Sequence, residues 1–126
     1  MVPRSALVVT VLAAAAALAP TTQARPEVGM PREIVTGVGE QDGIRLMSNA
    51  AKRWHWTWLR RPSARIVRAD PPQMLPENDE AVNGLSGRTS VTVTGRRPGT
   101  TSGVVGYWNA DESRLLKTVR IRIVVE

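Results

Sequence analysis

The sequence has no cysteine and no phenylalanine, one tyrosine and one histidine. Without cysteine there is no disulfide framework, zinc finger, thiol nucleophile or iron–sulfur ligand set. A single histidine cannot build a His-rich metal cluster, and the acids are not grouped along the chain in a way that would replace one. No cofactor and no metal are therefore expected, and the chain is expected not to be an enzyme. Helical periodicity with caps is also missing. What is present is a chain of 126 residues, enough for one domain, with 17 Lys+Arg against 11 Asp+Glu and a net charge of +6. The excess charge falls on arginines at strand exteriors and turns. Neither a stacking platform nor a recognition helix accompanies it, so nucleic acid is not an expected partner.

The first 24 residues read as a signal peptide. Met1 to Arg4 is a short basic start. Ser5 to Ala19 is a run of small and apolar residues, and Pro20 to Ala24 closes it with small and polar ones. The apolar run is shorter than the ~20 residues of a spanning helix, so no stable membrane span is expected once it is removed. Thr22-Gln23-Ala24 resembles a small-x-small cleavage site, which places cleavage after Ala24 and the exported protein in the periplasm or outside the cell. Residues 25–32 carry two prolines and read as a flexible leader. The domain proper is expected over residues 33–126.

That domain reads as all-β. Short alternating segments are separated by turn residues: Glu33 to Val38, Ile44 to Leu46, Trp54 to Trp58, Ala64 to Arg68, Ser90 to Thr94, Thr101 to Trp108 and Lys117 to Val125. Asp70 to Asn83, with three prolines and several acids, is expected to be a long surface excursion. About seven strands without a helix is the pattern of an Ig-like antiparallel β-sandwich. Period two puts Ile44, Leu46, Trp56, Val91, Val93, Val105, Ile121 and Ile123 in the core. The same period puts Trp54, Trp56 and Trp58 on one face. Such a row can fill a core or stack on sugar rings and cations; Trp56 is expected in the core, with Trp54 or Trp58 near an edge. His55 is expected beside its strand at the surface, without a triad, and Asp111-Glu112 as solvated loop charges.

The segment Ile44-Arg45-Leu46-Met47-Ser48-Asn49-Ala50-Ala51-Lys52-Arg53-Trp54-His55-Trp56 resembles the chagasin-type inhibitors of papain-like cysteine proteases, in which a strand leads into an N-P-T-T-G-[YF]-x-W loop. Asn49, Trp54 and Trp56 occupy the matching positions. Gly84-Leu85-Ser86-Gly87, Val91, Val93, Pro98-Gly99-Thr100 and Tyr107 resemble that family's glycine loop, its following strand, its P-G-T turn and the Tyr that precedes R-P-W. The resemblance spans roughly residues 33 to 126. It implies an Ig-like sandwich whose three end loops form a wedge that enters and blocks a protease cleft. Carried over, the loops are Asn49-Ala50-Ala51-Lys52-Arg53-Trp54, Asn83-Gly84-Leu85-Ser86-Gly87 and Trp108-Asn109-Ala110-Asp111-Glu112. The implied partner is a papain-like cysteine protease.

The sequence departs from that pattern at the wedge. Ala50-Ala51-Lys52-Arg53 stands where the family has Pro-Thr-Thr-Gly, and Asn109-Ala110-Asp111 where it has Arg-Pro-Trp. The resemblance thus implies an inhibitor with weakened or altered activity. The alternative is a non-inhibitory binding or assembly module. Arg61-Pro62, Ala69-Asp70-Pro71 and Val93 to Thr101 also resemble the N-terminal β-domain of pilus-assembly secretins, and the P-G-T-T turn occurs in bacterial Ig-like repeats.

Overall fold

The computed structural model describes residues 25–75 and 87–126. The signal-peptide segment 1–24 lies outside the described residues, as do Asn83, Gly84, Leu85 and Ser86 of the second loop. Among the described residues every regular element is a strand. They run β1 (Glu27–Val28), β2 (Arg32–Thr36), β3 (Gln41–Ser48), β4 (His55–Arg60), β5 (Val67–Ala69), β6 (Gln73–Met74), β7 (Gly87–Gly95), β8 (Gly99–Trp108) and β9 (Leu115–Val125). No helix among them is long and apolar enough to cross a membrane.

The strands form two sheets. One has the order β1-β9-β8-β4, with β2 also paired to β9. The other has the order β3-β7-β5, with β6 also paired to β7. Alternation sets the inward face of each strand. In β9, Val119, Ile121, Ile123 and Val125 are buried, while Arg120 and Arg122 point outward. Val91 and Val93 of β7 and Val105 of β8 are fully enclosed, and Ile34, Leu46, Trp56 and Val67 complete the core. Of the core residues expected from the sequence, Ile44 alone is only partly buried, packed against that cluster.

All seven expected strands are present, and three features differ from expectation. First, the sandwich is not wholly antiparallel: β1 and β2 both run parallel to β9. An inward-facing alternation is the same whichever way the neighbour runs, so the pattern cannot encode that direction. Second, the leader contains a strand. Glu27 and Val28 pair with Lys117 and Thr118, and the Gly29 N–H donates to the Thr118 carbonyl at 2.7 Å. Third, the 70–83 excursion begins by returning to the sheet as β6, opposite Thr89 and Ser90.

The connections decide what lies at each end. Ser48, the last residue of β3, pairs with Gly87, the first of β7. His55, the first of β4, pairs with Trp108, the last of β8. Residues 49–54 pass from one sheet to the other, whereas 109–114 join neighbours in one sheet. The β2–β3 turn lies at the opposite end, where Gly39 takes a φ of 81°, a conformation glycine adopts without strain.

Candidate functional site

The 49–54 loop is organised by Asn49. Its Oδ1 accepts from the Lys52 N–H at 3.1 Å, and its carbonyl accepts from the Trp54 N–H at 3.2 Å. The Arg53 N–H donates to the Ala50 carbonyl at 3.1 Å. This is the local turn chemistry expected of an Asn at the head of a loop. The chain leaves the turn through Arg53 at φ 60°. Such a left-handed conformation costs a residue with a Cβ about 1–2 kcal/mol and glycine little. Position 53 is where the chagasin-type pattern carries glycine, which takes this conformation without strain, and here arginine takes it instead.

Behind the loop stands an aromatic group. Trp54 meets Tyr107 edge-on at 5.9 Å between centroids, and Trp56 stacks on the same ring at 4.7 Å. The Trp56 indole N–H donates to the Met47 carbonyl at 3.0 Å, tying β4 to β3 across the sandwich. Burial raises the Tyr107 pKa, with a backbone hydrogen bond from Asn49 acting the other way. Lys52 folds back, its Nζ 4.5 Å from the centre of the Trp54 ring. Trp54 is half-buried and Trp56 buried, matching core filling. Trp58 also packs against the core, its indole N–H donating to the Asp70 carbonyl at 2.8 Å.

The 109–114 loop repeats the design. Asn109 Oδ1 accepts from the Arg114 N–H at 2.9 Å, and the Asn109 carbonyl accepts from the Glu112 N–H at 3.0 Å. Asp111 accepts from the Ser113 hydroxyl at 2.7 Å and from the Ser113 N–H at 3.1 Å. These bonds, the hydroxyl's first, hold Asp111 below its ordinary value. Trp108 belongs to the strand rather than to the loop. It is the last residue of β8, and its indole N–H donates to the Thr57 hydroxyl at 2.9 Å.

Three contacts bring the loop ends together. A Cβ on Gly87 would stand 3.4 Å from the Ala50 Cβ, so the start of β7 lies against the first loop. Beneath them the Ser48 and Thr89 hydroxyls share a buried hydrogen bond of 2.7 Å. His55 Nε2 lies 2.7 Å from Glu112 Oε2, joining the first loop's exit to the third loop. The sequence reads His55 as a surface residue without a triad and Glu112 as a solvated loop charge. They are paired instead, across 57 positions of chain that no local pattern could bridge. The pairing raises the His55 pKa, chiefly through the hydrogen bond to Glu112 and then through that to the Arg53 carbonyl.

Of the expected loop residues, Asn49 to Trp54, Gly87 and Trp108 to Glu112 therefore share one end of the sandwich. A groove of about 500 Å³ opens beside them between the sheets, lined by Met30, Met47, Trp54 and Tyr107 with Arg32, Arg45 and Lys117 among its flanks. Met30 and Met47 are both well exposed. Sequence reading missed this groove because its lining comes from separate strands and from the leader. Among the described residues no group of three or more acids or histidines could hold a metal ion. This end presents shape, aromatic surface and positive charge.

Two solved structures share this architecture. PbICP-C, solved in complex with falcipain-2, superposes with a TM-score of 0.56 at 16% identity, covering 84% of this chain and 96% of its own. The cysteine protease inhibitor EhICP2 from Entamoeba histolytica gives a TM-score of 0.57 at 12% identity, covering 82% of this chain and all of its own. The chain has the Ig-like β-sandwich fold that these two structures share. No protein-family model matches it, and no curated protein matches it by sequence. The likeness therefore rests on the path of the chain, and it agrees with the chagasin-type resemblance carried by Asn49, Trp54, Trp56 and Tyr107.

Proposed function

We propose that the protein is an exported, chagasin-like inhibitor that engages a papain-like cysteine protease through the 49–54 and 109–114 loops and the start of β7. The observation that carries this is the joining of those segments at one end, through Ala50 against Gly87 and His55 against Glu112, in a fold shared with a cysteine protease inhibitor. Loops held by their own hydrogen bonds lose little entropy on binding, which is how a wedge can block a cleft. Two features weaken insertion. Ala50 and Ala51 supply no hydroxyl, and Lys52 and Arg53 place two cations near the tip. A partner with an acidic rim fits this end better than a neutral cleft.

Titration of papain with the purified protein tests the reading. Weak inhibition is expected from the natural sequence, and at least about tenfold tighter inhibition when Ala50–Arg53 is replaced by Pro-Thr-Thr-Gly, a gain of about 1.4 kcal/mol. A folded graft that inhibits no better contradicts the wedge assignment and favours the non-inhibitory assembly module. Export is supported by the basic start, apolar run and small-residue end of residues 1–24. Intact mass of the protein recovered from the envelope or medium should begin at Arg25. Full-length protein retained in the cytoplasm contradicts it.

A further inference from the structure

Both nitrogens of the only histidine in the chain face acceptors. Nε2 lies 2.7 Å from the Glu112 carboxylate and Nδ1 lies 3.1 Å from the Arg53 carbonyl. A carbonyl cannot donate, and neither can an ionised carboxylate. A neutral imidazole has one N–H, so one of its nitrogens would turn a lone pair toward an acceptor. Only the imidazolium, with two N–H groups, satisfies both contacts. The two residues it holds, Arg53 and Glu112, are also the only described non-glycine residues at positive φ, 60° and 58°. One ring thus grips the left-handed residue of each loop.

We infer that protonated His55 is a positioning residue for the binding end, a clasp that orders the 49–54 and 109–114 loops in acid and releases one of them when it loses its proton. The inference deepens the proposed inhibition and rests on it only for the functional consequence. The elements around the ring are the 49–54 loop, Trp108 of β8 and the 109–114 loop. Their ionisable groups are Lys52, Arg53, Tyr107, Asp111, Glu112 and Arg114. Lys52 lies over Trp54, Tyr107 packs on Trp54 and Trp56, and Asp111 is bonded to Ser113. Glu112 is the charge set against the ring. The ring's pKa is raised, so the clasp is complete below the ordinary histidine value of 6.5 and is lost as pH rises through the raised folded-state value.

Proton NMR of the full chain reads this directly, because its single histidine gives one imidazole titration. Natural protein should titrate above 6.5 and Glu112→Gln closer to it. Titration at or below 6.5, or no shift in the variant, overturns the clasp. Amide exchange gives the second measurement. At about pH 5.5, residues 109–114 of the natural protein should be about two- to fivefold better protected than in Glu112→Gln, a difference that vanishes near pH 8.5. Equal protection at the lower pH also overturns it. In papain titrations the ratio of the variant's inhibition constant to the natural one should fall toward unity over the same range. If the histidine titrates and the loop is protected as stated but neither protein inhibits at any pH, the clasp stands and the inhibitor reading fails.

Discussion

Arg53 is the residue at which the natural loop is least at ease. Its side chain is exposed, and its bonds to His55 and Ala50 are made by backbone groups that glycine would keep, so relief of the φ 60° backbone is the main change a glycine brings. Arg53→Gly should stabilise the protein by about 0.5–1 kcal/mol, the relief of the Cβ clash less the extra freedom glycine gains in the unfolded chain. Urea melts measure it, and a loss of stability would mean that the guanidinium makes a contact the loop depends on. Glu112 has the same backbone conformation and a different standing, because its carboxylate holds His55. Replacing it with glycine would relieve the backbone and remove the pair together, which makes position 53 the cleaner probe.

At the scale of elements, β3 and β7 are closely fitted where Gly43 lies beside Val91. A Cβ at Gly43 would run into the Val91 carbonyl, a backbone group with no room to yield. Gly43→Ala should cost about 1–3 kcal/mol, the usual range for forcing an extra methyl into a packed site. A melt unchanged by the substitution would show that β3 and β7 can separate there without loss. The same strands show how far the sequence could be read. Val91, Val93, Val105, Ile121 and Ile123 alternate with polar residues, and that period gave each of these strands its inward face. Two-residue strands such as β1 and β6 have no period to detect. Strand direction was equally silent, since β9 alternates identically whether β2 runs parallel or antiparallel to it. At the candidate site, Asn49 and Trp56 were legible because the motif spacing is local. The His55–Glu112 pair was not, because it forms only when β4 and β8 lie side by side.

For the whole molecule, the two ends of the sandwich differ. One gathers the 49–54 and 109–114 loops, the start of β7 and the groove beside Trp54 and Tyr107. The opposite end carries Arg65, Arg96 and Arg97 around a shallow depression, with Arg96 donating to the Ala64 carbonyl at 2.9 Å. With a net charge of +6, a positive potential alone would draw an acidic partner toward either end. Shape at the loop end is what would make the contact specific. Amide hydrogen exchange of the protein mixed with a papain-like protease inactivated by replacing its catalytic cysteine with alanine, the cleft left open, separates the two. Protection is expected at residues 49–54 and 108–112, weakening as salt is raised to about 0.5 M because Lys52 and Arg53 contribute through charge. Protection confined to residues 61–66 and 96–98, or none at any ratio of protease, would contradict the assignment of the loop end as the inhibitory surface.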